Sequence, residues 1–225
     1  MNRKESGFCA DFPTVREGGC ATLDGSVPPP QTGSPHRSSL GPENLDPGDL
    51  DRPSFAVWLA TVGPIGWLPV APGTAGAAFA VCTFVFFSLW VPDDMRGLPA
   101  LATLLGGTAV LTAAGVRAAE HAGQHFGCED DGRIVVDEVA GQWLTLAPLL
   151  VFPGAALSWP WVVTGFVLFR VFDIWKPGPV RWAERRFPGG LGVMLDDIVA
   201  GVLGAGVLAL ALTFVLGGAA AGGAQ

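Results

Sequence analysis

The residues able to do chemistry in this chain fall in three clusters, each at the end of an apolar run. Asp137 and Glu138 stand side by side in IVVDEVAGQ, and no charged residue follows until Arg170. RVFDIWKPGPVRW then brings Arg170, Asp173, Lys176 and Arg181, and MLDDIVAG brings Asp196 and Asp197. Carboxylates gathered at one place repel one another and resist losing water. At the edge of an apolar medium they need a cation. Mg²⁺ suits them, because it takes carboxylate oxygens and keeps positions open for a phosphate. Arg offers such a phosphate a planar fork and Lys a compact charge. The pattern predicts metal-assisted phosphoryl chemistry on a lipid headgroup. Asp137, Glu138, Asp173, Asp196 and Asp197 are the expected Mg²⁺ ligands and their supporting shell. Arg170 and Lys176 are expected to grip the phosphate. Asp137, Glu138, Asp173 and Asp197 are the expected catalytic groups, with either water or one aspartate attacking phosphorus.

Plainer readings exist for each piece. Acids in the first turn of a helix also serve as partners for its dipole. Arg170 and Asp173, three apart, also make an ordinary intrahelical ion pair. Arg181, Arg185 and Arg186 also form a basic edge toward anionic lipid heads. The convergence of all these groups at one depth favours function, because ionisable residues beside a membrane core are costly to keep. His121 and His125 have zinc-compatible spacing, but no third ligand lies nearby in sequence.

The elements that must position these residues are apolar. Half of the 225 residues are hydrophobic and 15% are charged, against about 25% in soluble domains. Mean hydropathy is +0.44. Uncharged runs at 75–91 and 97–116 match the roughly 17–25 residues of a spanning helix. The run 139–169 is too long for one span, and FPG at 152–154 divides it into helices expected at 134–152 and 155–175. A last helix is expected at 197–216. The architecture predicted is all-α, an integral membrane protein with about five spanning helices. Residues 54–74, broken by Gly63, Pro64, Gly66, Pro69, Pro72 and Gly73, are expected to form a short helix and a re-entrant or interfacial loop.

Residues 1–53 are rich in Pro, Gly and Ser and are expected to be a disordered tail. The helical membrane domain is expected at 54–217, with a flexible Gly/Ala tail at 218–225. With five crossings, twelve of the thirteen Lys and Arg residues fall on one side, which places that side in the cytoplasm. A net charge of -7 argues against a nucleic-acid partner. The partners expected are a phospholipid substrate and the membrane, and oligomeric state is left open. VAPGTAG at 70–76 reads as a Gly-rich turn opening a helix near Thr74, where free N–H groups suit a phosphate. Cysteine-dependent, aspartyl-phosphate and acid-phosphatase signatures are absent from the sequence.

Read together, DDGRIVVDEVAGQWLTL (130–146), GFVLFRVFDIWKPGPVRWAER (165–185) and GGLGVMLDDIVAGV (189–202) resemble the phosphatidylglycerophosphatase A family, as does PGTAGA (72–77). The resemblance covers about 56–216. It implies a Mg²⁺-dependent enzyme of the bacterial inner membrane, facing the cytoplasm, that converts phosphatidylglycerophosphate to phosphatidylglycerol. Position by position, Asp130, Asp137 and Glu138 match one acidic motif. Arg170, Asp173, Lys176 and Pro177 match a second, and Asp196 and Asp197 a third. Asp130 is thereby a possible supporting residue. Ala77 stands where the family often has Thr or Ser, and the tail lies outside the pattern. The reading from a different class is a small cation transporter whose intramembrane acids bind the ion. The acids' position at the membrane edge argues against it.

Overall fold

The computed structural model describes residues 54–152, 155 and 157–222, with side chains as far as 215. All regular structure among them is helical, as expected for an all-α chain. Residues 1–53 and 223–225, expected as tails, lie outside the described residues.

α1 (Phe55–Ala60) is short and capped by Ser54, whose hydroxyl accepts from the Val57 N–H. The left-handed pair Val62 and Gly63 and a single 3-10 turn, Ile65–Trp67, then redirect the chain. The short helix and the irregular segment after it match the expectation for 54–74, except that Pro72–Thr74 already belong to α2. α2 (Pro72–Trp90) opens with Pro72, whose missing N–H costs nothing in a first turn. α3 (Leu98–Phe126) ends at the left-handed Gly127, whose N–H donates to Gly123 O.

The loop after α3 is ordered by Arg133. Its side chain donates to Asp131 at 2.7 Å and its backbone N–H at 3.0 Å. The Arg133 side-chain bond holds Asp131 below the usual carboxylate range. The same guanidinium lies 3.7 Å from the centre of the Phe126 ring. Val135 N–H donates to Ala60 O at 2.9 Å, so the start of α4 (Val136–Leu146) is tied to the end of α1. A 3-10 turn, Ala147–Leu150, extends α4. α5 (Trp159–Trp175), α6 (Gly178–Arg186) and α7 (Gly189–Gly222) complete the chain.

Two expectations differ from what the structure shows. Among the described residues three helices are long and apolar enough to cross a membrane: α2, α3 and α7. About five spans were expected, and that count is not confirmed. α4 has 11 residues, about 16 Å of rise, roughly half of a hydrocarbon core. The proline at 148 and the 3-10 turn end it early. α5 has 17 residues, at the lower limit. Second, α7 begins at Gly189 rather than near 197. Asp196 and Asp197 are therefore two turns inside a helix, and the reading of them as dipole partners of its N-terminus does not hold. α6, unforeseen between Pro177 and Pro188, is a short amphipathic helix carrying Arg181, Arg185 and Arg186.

Lipid is as apolar as a protein core, so close backbone approach and polar cross-links hold such helices together. Both are present. A Cβ on Gly201 of α7 would run into Gly141 O of α4, and one on Gly141 would meet the Phe169 ring of α5 at 2.5 Å. Thr145 Oγ1 donates to Gly201 O at 3.2 Å. Trp143 Nε1 donates to Thr83 Oγ1 of α2 at 3.0 Å. Beyond these contacts Phe84, Leu104, Leu146, Val162 and Leu208, from five helices, form one buried cluster. The effect is to bring the start of α4 and the third turn of α7 to one level.

Candidate active site

α4 places Asp137 and Glu138 in its first turn because the Val135–Ala60 bond anchors its start. α7 places Asp197 opposite them because Gly141 and Gly201 let the two backbones meet one turn further on. Carboxylate oxygens of Asp137, Glu138 and Asp197 lie within 4.8 Å of one another. Asp137 and Asp197 are buried, and the Glu138 side chain is 14% exposed. Three carboxylates this close, drawn from two helices, form a hard-oxygen donor set of the kind that binds Mg²⁺ or a similar cation.

The other two predicted ligands are already neutralised. Asp173 Oδ2 lies 2.6 Å from Arg170 Nη1, and Asp173 also adjoins Asp197. Asp196 Oδ2 accepts from Lys176 Nζ at 2.7 Å. Lys176 donates as well to Glu184 Oε1 of α6 at 2.8 Å. Burial alone would lower the Lys176 pKa, but Asp196 and Glu184 overcome it and hold the ammonium charged well above its ordinary range. The residue ends α5 with φ +46°, a left-handed conformation uncommon for a side chain of this size. That turn lets Lys176 join α5, α6 and α7. Two of its three donors are thus spent on carboxylates rather than left for a phosphate.

Arg170 is the cation that faces the carboxylate trio. Its Nη1 is 4.0 Å from Glu138 Oε1. Nη1 and Nε are buried and make no aligned hydrogen bond. α2 closes this side: a side chain at Gly73 would run into Glu138 Oε1 and come within 3.5 Å of Arg170 Nη2. The Pro-Gly-Thr turn therefore reaches the site through Gly73, while the Thr74 side chain is exposed. Asp130 is exposed at the rim, within electrostatic reach of Lys176, Glu184 and Asp173. His121 and His125 are exposed on α3 and belong to no metal-binding group among the described residues.

Two site residues escape sequence reasoning. Glu184, in WAERR, has no signal beyond its charge. Gln142 had one: apart from Thr145, it is the polar side chain of VAGQWLTLAPLL. It is wholly buried, and neither amide atom has a partner. It lies one turn beyond Glu138, whose Oε2 is likewise buried and unpartnered. Residues four apart share one helix face, so Gln142 and Glu138 lie on the same side of α4.

A sequence profile of one family, Phosphatidylglycerophosphatase A, matches residues 58–212. The chain belongs to the phosphatidylglycerophosphatase A family. The matched region takes in every site residue named above. A phosphatidylglycerophosphatase A of Escherichia coli is 40% identical over 143 residues, 64% of this chain and 75% of that protein. One of Haemophilus influenzae is 40% identical over 77 residues, 34% of this chain and 44% of that protein. A putative phosphatidylinositol-3-phosphatase of Bacteroides thetaiotaomicron is 41% identical over 158 residues, 68% of this chain and 91% of that protein. No solved structure matches. The names of these relatives share a phosphate monoester on a phospholipid and differ in the rest of the headgroup.

Proposed function

We propose that this protein hydrolyses the terminal phosphate of phosphatidylglycerophosphate, giving phosphatidylglycerol, with Mg²⁺ as its metal. The observation that carries the reading is the buried trio Asp137, Glu138 and Asp197 facing Arg170, in a chain of this family. The trio fits Mg²⁺ by its chemistry: hard anionic oxygens, one of them (Glu138 Oε2) buried without a partner. When bound there, Mg²⁺ supplies positive charge that polarises the phosphoryl group.

The chain's own groups supply the rest. Asp137, Glu138 and Asp197 would hold the metal, with Asp173 beside Asp197. Asp173 orients the Arg170 guanidinium through Nη1, and the guanidinium, whose Nε is buried without a partner, donates to phosphate oxygens. Lys176, fixed by Asp196 and Glu184, balances charge at the rim. Gln142 donates its amide N–H to a group held at Glu138, which satisfies both orphaned side chains. The site end also carries Arg181, Arg185 and Arg186 on α6, and by the positive-inside rule it faces the cytoplasm.

Gln142→Leu separates this role from a structural one. An unpaired buried amide costs about 1–3 kcal/mol, so the Leu variant melts higher than the parent. Its turnover nevertheless drops, on the order of tenfold or more. A lower melting temperature with proportionate loss of activity assigns Gln142 to packing instead.

The direct test uses purified protein in detergent with phosphatidylglycerophosphate, or with phosphatidylinositol 3-phosphate, in Mg²⁺ or in EDTA. Faster, EDTA-sensitive phosphate release from the first lipid is expected. No release from it refutes the proposal, and preference for the second reassigns the headgroup.

A further inference from the structure

We infer that the open groove between α2 and α5 holds one acyl chain of the lipid whose phosphate meets Arg170. The inference rests on the lipid-phosphatase reading and adds to it where, and how, the rest of the substrate is held.

The groove has a volume of about 480 Å³, within the range of small-molecule sites. Ala78, Cys82 and Phe86 on α2 face Val163 and Phe166 on α5, and Trp159 stands at the far end. No charged side chain lines it. Phe86, Val163 and Trp159 are more than half exposed, so the groove opens sideways to whatever surrounds the helices.

Any pair of apolar helices leaves some furrow for bulk lipid. Register distinguishes this one. The α2 positions 78, 82 and 86 repeat every four residues, and one step back along that stripe is Thr74, in the helix's opening turn. The α5 positions 159, 163 and 166 repeat every three or four, and one step forward is Arg170. Residues four apart lie on one helix face. Both walls therefore run without a turn into the phosphate end of the site. Gly73, beside Thr74, meets Glu138 and Arg170 there. Near this inner end Ala77 and Phe169 are buried in one cluster. From Ala78 to Leu89 the groove is about 16 Å long, the shape of an extended alkyl chain rather than of a headgroup. An amphiphile with its phosphate at Arg170 has an uninterrupted apolar path along these two helices, and lateral opening lets it enter from the bilayer.

Cys82 is a free, exposed thiol in this wall and serves as a built-in reporter. The full chain in detergent is alkylated with a maleimide, and Cys82 modification is followed by peptide mapping. Long-chain phosphatidylglycerophosphate in EDTA is expected to slow Cys82 modification several-fold, whereas inorganic phosphate and a hexanoyl analogue leave it unchanged. In a second arm, Cys82→Trp and Val163→Trp fill the groove. The ratio of kcat/KM for palmitoyl over hexanoyl substrate is expected to fall about tenfold, while Leu210→Trp, on the exposed face of α7, leaves that ratio unchanged. Equal Cys82 modification with and without long-chain lipid overturns the inference, as does an unaltered ratio in both groove variants. If the parent releases phosphate from neither chain length, the phosphatase reading fails, and Cys82 protection still decides whether lipid occupies the groove.

Discussion

Replacing Asp197 with Asn is expected to lower phosphate release by at least about a hundredfold, the scale of losing one preorganised electrostatic partner of a transition state. The same change is expected to raise the melting temperature in EDTA. Both follow from one arrangement. Asp137, Glu138 and Asp197 hold their oxygens within 4.8 Å, and Asp197 is 3% exposed. Without a metal, three like charges in a poorly hydrated site repel one another, and Asn keeps the shape while removing one of them. A bound cation would offset that repulsion and gain from each carboxylate, so the variant is expected to need more Mg²⁺ for half-maximal rate. Opposed changes in stability and activity are typical of a site built for function rather than for the fold. Turnover and Mg²⁺ dependence equal to the parent remove Asp197 from the mechanism.

Gly201→Val is expected to prevent accumulation of folded protein, and Gly201→Ala to weaken it measurably. A Cβ at Gly201 points at Gly141 O, with Gly141 Cα 3.0 Å away. The obstacle is backbone, so no rotamer change relieves it, and the cost is expected at or above the upper end of the usual 1–3 kcal/mol for overpacking. Separating α4 from α7 also stretches the Thr145 to Gly201 O bond. It pulls Asp197 away from Asp137 and Glu138, because this contact lies one turn from them on each helix. Any Gly201→Ala protein that folds should therefore lose Mg²⁺ affinity beyond its loss of stability. Thermal melting with and without Mg²⁺ measures this. A Gly201→Val protein that folds and binds Mg²⁺ like the parent would falsify the close-contact account.

Much of this was legible in the chain itself. Apolar runs of 17 and 20 residues announced α2 and α3, and the breaks after Ala60 announced the loop that precedes them. The placing of Asp137 and Glu138 in a first turn was also legible, since the charge pattern changes there. The start of α7 was not. GGLGVML has no capping side chain and two leading glycines, so hydropathy pointed to the acids as the boundary, eight residues late. The length of α4 was not legible either. Its uncharged run continues past Leu146, while the helix gives way to a 3-10 turn around Pro148.

Residue type and spacing pointed to the chemistry proposed: carboxylates for a hard cation and an Arg fork for a phosphate, both at the ends of apolar helices. They also determined the family, through motifs whose order is local and linear. Only the tertiary structure decided how the five acids divide. Asp137, Glu138 and Asp197 face one another, whereas Asp173 is taken up by Arg170 and Asp196 by Lys176. Adjacent residues on a helix point about 100° apart, and here Asp197 turns toward α4 while Asp196 turns toward Lys176. Which of them turns toward α4 depends on the rotation of α7 about its axis. That rotation is set by the glycine contact between α4 and α7, sixty residues apart in sequence, and no local pattern encodes it.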